Sequence, residues 1–234
     1  MRFTGKTVIV TGAAGNLGRA VAKRFAEEGA SVALFGHRLE KVEAVANELS
    51  GDHAAFGVDL TDREATRKAI AEVTGKLGAP EIVCAIAGGF DMGTPVHEVP
   101  AEDWQKMMDL NLGTLLSVLA AVTPGMIERG AGKIVTIGAN GAKTGGKTMG
   151  PYAASKSAVM RVTESASAEL KGHGINVNSV LPSIIDTPEN RSAMPKADPG
   201  KWVTPESLAG VIAFLCSDDA KDIHGALVPV TGLS

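Results

Sequence analysis

The chain has 234 residues, 21% of them charged, and a formal net charge of -3. That length suits one domain of about 200–250 residues, and the slightly acidic balance, with no run of Lys or Arg, argues against a nucleic-acid or membrane-surface partner. Cys84 and Cys216 are the only cysteines, which excludes a disulfide framework and a zinc site built mainly from thiolates.

In chain order, short apolar runs alternate with longer helical patterns. Thr7–Thr11 predicts a strand, Leu17–Glu28 a helix, Ser31–Phe35 a strand, Leu39–Leu49 a helix, Ala54–Val58 a strand and Asp62–Leu77 a helix. The second half continues with a strand at Ile82–Ile86, a helix at Ala101–Glu128 and a strand at Lys133–Ile137. It ends with a helix at Ala153–Leu170, a strand at Asn176–Leu181, a helix at Pro205–Cys216 and a strand at Ala226–Val230. Several strands are apolar without alternation, as in a parallel sheet covered on both faces. Gly29, Gly78, Gly130 and Gly172 each follow a helical run, where a left-handed cap is expected. The fold class is therefore α/β: a single Rossmann-type, doubly wound domain over residues 1–234, with a seven-stranded parallel sheet. Ser183–Trp202, with Pro182 before it and Pro188, Pro195 and Pro199 inside it, reads as a long irregular loop or lid. No apolar stretch is expected to reach transmembrane length, and the start, MRFTGKTVIV, lacks a signal-peptide pattern. A cytoplasmic protein is expected.

Thr11-Gly12-Ala13-Ala14-Gly15-Asn16-Leu17-Gly18 joins the first strand to the first helix. Gly12 suits a tight turn, Gly15 lets the backbone approach a pyrophosphate at the helix N-terminus, and Gly18 lets helix and strand pack closely. A nicotinamide dinucleotide is the expected cofactor. An acid at the end of the second strand would select NAD, but that turn reads Gly36-His37-Arg38. NADP(H) is therefore expected, with Arg38 and His37 on the 2′-phosphate; NAD(H) remains open, because Arg38 also reads as a solvated residue starting a helix. Asp59, after the third strand, suits either the adenine amino group or the capping of the next turn.

Tyr152 and Lys156 lie four residues apart, on one face of a helix. A neighbouring ammonium favours the phenolate, so Tyr152 is expected to titrate below its usual range of about 10 and to exchange protons near neutrality. Tyr152 is the only tyrosine; the plain alternative is a packing role.

With these residues in place, the whole chain resembles the short-chain dehydrogenase/reductase family. The resemblance rests on the turn Thr11–Gly18, Asp59, Asn111 within LNLGT, Tyr152 with Lys156, Pro182, and Thr187 five residues later. It implies that Tyr152 is the proton donor, that Lys156 binds the nicotinamide ribose, and that Asn111 holds a water in the proton relay. It further implies that Thr187 and the backbone at Ile184 hold the carboxamide, and that Asp59, Leu60, Ala87 and Gly88 border the cofactor. A homodimer or homotetramer through the helices Ala101–Glu128 and Ala153–Leu170 is implied as well.

The pattern departs at three places. The family's serine, thirteen residues before the tyrosine, is Ala139; the turn after the fourth strand reads Ala85-Ile86-Ala87-Gly88; and Asn16 replaces the middle glycine of the first turn. A methyl cannot donate a hydrogen bond, and removing such a donor costs about 3–4 kcal/mol of transition-state stabilisation. The loop Asp186–Asp198, through Trp202, is similar to that of dihydropteridine reductases, which also carry alanine in place of the serine, although they have an Asp where this chain has Gly36. The expected substrate is thus a small carbonyl-, quinonoid- or pterin-like molecule, with Asn140, Met194 and Trp202 as possible contacts beside Ala139.

Two rivals remain. Ala139 also suits a protein that binds NADP as a sensor or scaffold without turnover. Residues 141–148, GAKTGGKT, match a phosphate-cradling P-loop, but Gly150-Pro151 places the next helix start too late for it. His37, His53, His97, His173 and His224 form no i, i+4 pair, and no metal is expected.

Overall fold

Val8 and Val10 point to one face of their strand and Ile9 to the other, and all three are fully buried. Such a strand needs cover on both faces, which is what the computed structural model of residues 1–234 shows. The seven strands are β1 (Thr7–Thr11), β2 (Ser31–Gly36), β3 (His53–Gly57), β4 (Ile82–Ala85), β5 (Gly132–Ile137), β6 (Ile175–Pro182) and β7 (Leu227–Val230). They pair in parallel throughout, in the order β3-β2-β1-β4-β5-β6-β7.

The helices are α1 (Asn16–Glu27), α2 (Leu39–Ala46), α3 (Arg63–Leu77), α4 (Ala101–Met108), α5 (Thr114–Arg129), α6 (Gly150–Leu170), α7 (Pro188–Ala193) and α8 (Pro205–Leu215). One core lies between the sheet and α1, α2 and α8, built on Leu17, Val21, Phe25, Val42, Leu208 and Ile212. The other lies beneath α3, α5 and the end of α6, with Ile70, Val73, Val118, Val122, Met126 and Leu170. Each such side chain, where fully buried, contributes about 1.5–3 kcal/mol relative to exposure. Strand order reverses between β1 and β4, and the carboxyl ends of these strands open a crevice there.

Four expectations are corrected. The helix expected over Ala101–Glu128 is interrupted by a π-helical turn, Asp109–Gly113, between α4 and α5. The combined helix Ala101–Arg129 is long and apolar enough by composition to cross a membrane, contrary to the sequence reading; here α5 lies on the sheet, with Val118, Val122 and Met126 in the core. Gly172 is not the left-handed cap: it lies within a 3-10 turn, and Gly174, at φ 71°, carries that conformation. The segment 183–202 is not without structure, since Thr187 accepts a hydrogen bond from the Asn190 amide and starts α7, with Pro188 in the first turn.

Candidate active site

Thr11 ends β1, and its hydroxyl accepts hydrogen bonds from the amides of Ile86 and Ala87, both at 2.9 Å. This holds the turn after β4 against the turn after β1, and Gly12 completes the fit. Its φ is 64°, and a Cβ there would stand 3.1 Å from the backbone of Ala87. Gly18 is more constrained: a Cβ would lie 2.1 Å from the Gly12 carbonyl oxygen. Gly15 differs, with only ordinary contact at 3.4 Å, so its lack of a side chain leaves room rather than permitting packing. Gly15 caps α1 with no side chain, and the amides of Asn16, Leu17 and Gly18 have no backbone acceptor. A helix start of this kind, with open amides and space above it, fits a dinucleotide's diphosphate.

At the far end of this crevice, His37 and Arg38 are exposed. Arg38 precedes α2 without capping it. A side chain at Gly36 would meet Val42 at 2.6 Å, so a carboxylate there requires Val42 to move. Asp59 takes the turn-forming role: one carboxylate oxygen accepts from the Thr61 amide at 2.9 Å and the Thr61 hydroxyl at 2.7 Å. These two bonds, with His37 nearby, hold its carboxyl below the usual range. Leu60 beside it is buried.

Lys156 and Asn111 converge on Gly88, and Tyr152 lies one helical turn before Lys156 on α6. A Cβ on Gly88 would stand 2.5 Å from Asn111 Oδ1 and 3.3 Å from Lys156 Nζ. The π turn brings Asn111 inward, where its amide donates to Ser155 Oγ at 3.0 Å and to the Gly89 carbonyl at 3.1 Å. Its Oδ1 accepts from the Gly89 amide at 3.0 Å. Such turns recur at functional sites because they re-aim one side chain without ending the helix. Lys156 is buried and donates to the Ile137 carbonyl at 2.9 Å; burial lowers its pKa to about 8. A small cavity lies between Thr11, Asn111, Ile137 and Lys156.

The phenol behaves differently from the sequence expectation. Burial raises the Tyr152 pKa above 10. The spacing puts Lys156 on the same helix face, but the desolvated amine turns to Ile137, and loss of water decides the direction. A phenol held protonated is an acid waiting for a stronger base.

These features match a family model described as "short chain dehydrogenase" over residues 6–198. The chain belongs to the short-chain dehydrogenase family. Sorbitol dehydrogenase of Cereibacter sphaeroides is 35% identical over 99% of this chain and 98% of its own length. The crystal structure of NAD+-bound xylitol dehydrogenase superposes with a TM-score of 0.91 at 28% identity, covering 99% of this chain and 100% of the other. Carveol dehydrogenase from Mycobacterium avium, in complex with NAD, gives 0.91 at 26% identity, covering 99% and 98%.

Within this short-chain dehydrogenase chain, Ala139 is buried against Ala142, Ala153, Met160 and Leu181, with Tyr152 at the edge of the cluster. Asn140 and Met194 are half-buried. Trp202 is buried, at 7% exposure. Pro182 ends β6, and Ile184 is tied into the fold by its carbonyl, which accepts from the Val203 amide at 3.0 Å. Thr187 uses its hydroxyl to cap α7. Asn16 reaches across to this segment and donates to Glu189 at 2.8 Å. The P-loop alternative fails on geometry: Thr148 sits at φ 57° and α6 starts only at Gly150, so no helix begins at Lys147. Phe90 was missed. Its ring stands at 4.8 Å and 76° to that of Tyr152, in a T-shape. An aromatic residue two positions beyond the strand-four glycine was the only signal in the sequence.

Proposed function

We propose that this protein is an NADP(H)-preferring oxidoreductase that transfers hydride between NADP(H) and a small carbonyl-, quinonoid- or pterin-like substrate, with Tyr152 as proton donor. The observation that carries the reading is the meeting of Lys156 and Asn111 at Gly88, with Tyr152 one turn before Lys156 on α6, beside the crevice where the glycine turn opens α1. The nicotinamide, when bound, supplies or accepts the hydride. Gly12, Gly15 and the amides of Asn16, Leu17 and Gly18 would hold the diphosphate, and Arg38 with His37 the 2′-phosphate. Ala87, Gly88, Pro182, Ile184 and Thr187 would line the nicotinamide end. Tyr152, kept protonated by burial, gives its proton to the developing oxyanion. Lys156 would hold the ribose and offset the phenolate's charge once the proton has left, and Asn111 would steady the relay behind it.

NAD named with the neighbouring structures supports a nicotinamide cofactor; exposed Arg38 and the side-chain-free Gly36 support the phosphorylated form. A homodimer or homotetramer through α5 and α6, and a cytoplasmic setting, are part of this reading. Calorimetric titration with NADPH and NADH in parallel, followed by NADPH consumption against a carbonyl and quinonoid panel, tests the reading. Tyr152→Phe is expected to lower kcat by about 10²–10⁴ while NADPH still binds. Ala139 favours a second reading, binding without turnover, and NADPH bound but never consumed would establish it.

A further inference from the structure

Two apolar surfaces meet around the Tyr152 ring. Phe90, from the loop after β4, contributes a ring that remains 58% exposed although it touches the phenol. Ala139 contributes a methyl where the family places a hydroxyl, continuous with buried Ala142 and Ala153. Beyond Phe90, Met92 and Val96 are 54% and 61% exposed on the same loop. This loop is anchored rather than loose: the Gly93 amide donates to the Thr148 carbonyl at 2.9 Å, and Val96 stands against Gly150 at the start of α6. The apolar side chains of this loop are therefore held beside the start of α6, with no element of the chain covering them.

The chemistry of those walls selects among substrates. A polyol or sugar carries a hydroxyl on every carbon, and each would have to shed water against a methyl and a phenyl ring without a replacement hydrogen bond, at roughly 1–3 kcal/mol per group. A flat ring loses little on leaving water and finds an aromatic partner already in place.

We propose that Phe90 is a specificity-determining residue and that the substrate carries a flat, unsaturated or aromatic ring beside its reducible carbonyl, acyclic polyols and their ketones being disfavoured. This rests on the oxidoreductase reading above. In the step, the carbonyl carbon accepts one hydride and its oxygen accepts the Tyr152 proton. One C=O becomes CH–OH, and one reduced nicotinamide is oxidised.

Two 1,2-diketones that differ in the ring, acenaphthenequinone and 2,3-butanedione, test it by steady-state NADPH consumption. Wild type is expected to favour the ring compound by about 100-fold in kcat/KM. Phe90→Ala is expected to lower kcat/KM for acenaphthenequinone by about 30-fold, chiefly through KM, so that the ratio of the two falls toward unity. Phe90→Trp is expected to restore it. Equal losses for both diketones in Phe90→Ala would mean that Phe90 only props Tyr152, and would overturn the proposal. So would a wild-type ratio near one, or NADPH binding with reduction of neither compound. Failure to bind NADPH or NADH in calorimetry would remove the oxidoreductase reading as well, which separates the two failures.

Discussion

Replacing Lys156 by methionine is expected to stabilise the folded protein at pH 7 while ending turnover. The amine is buried and is held at about 8 instead of its ordinary 10.5 because the charged form is desolvated. Below pH 8 the group is protonated in both the folded and the unfolded chain, and the fold carries the full penalty, about 3 kcal/mol by linkage. Between 8 and 10.5 only the unfolded chain binds the proton, so stability rises with pH through this window. Above 10.5 the penalty is gone. Methionine fills a similar volume without charge but leaves the Ile137 carbonyl without its donor, which returns about 1 kcal/mol. The net gain of about 2 kcal/mol corresponds to a rise in Tm of about 4–8 °C at pH 7 for a chain of this length. Thermal unfolding of wild type and Lys156→Met at pH 7 and pH 10 is the assay. The gap between the two proteins should shrink at pH 10. A variant less stable than wild type at pH 7, or a gap that does not change with pH, would refute the desolvation argument.

The other expected outcomes concern the crevice. Gly18→Ala places a methyl 2.1 Å from the Gly12 carbonyl oxygen, and backbone must move; a loss of about 3 kcal/mol, or about 6–12 °C in Tm, is expected. Gly15→Ala meets only ordinary contact, so its loss should be below about 1 kcal/mol while NADPH affinity falls about tenfold; equal Tm losses in the two variants would contradict this. Arg38→Ala should weaken NADPH binding by about 10–100-fold in calorimetry and leave NADH binding nearly unchanged, and an equal loss for both cofactors would remove the 2′-phosphate assignment. Ala139→Ser should raise kcat/KM for simple aliphatic ketones about tenfold by restoring a hydroxyl beside Tyr152, and no gain would mean that the position does not face the carbonyl.

The strands were legible because apolar runs such as TVIVT and KIVTI leave no face for water, and that pattern survives without knowledge of the partners. Gly12 and Gly18 were legible because their roles follow from the turn itself. The π turn was not, since nothing in Asp109–Gly113 distinguishes it from helix; it exists because Asn111 is drawn inward by Gly89 and Ser155, contacts distant in sequence. The direction of the Tyr152 pKa was misjudged for a related reason: spacing places an ammonium nearby but says nothing about lost water. The start of α7 is marked locally by Thr187 as cap and Pro188 following, but three prolines in twelve residues outweighed that local signal.

The turn Asp109–Gly113 also sets a phase. An α-helix rotates about 100° per residue, so one residue more or fewer between α4 and α5 would swing one half of the rod by that angle relative to the other. Trp104 on α4 rests against Gly150 of α6, while Val118, Val122 and Met126 on α5 sit in the sheet core. An uninterrupted α-helix would join those two faces at a different angle. The widened turn is the splice that lets one long rod meet two differently oriented surfaces, and Asn111 occupies the splice itself.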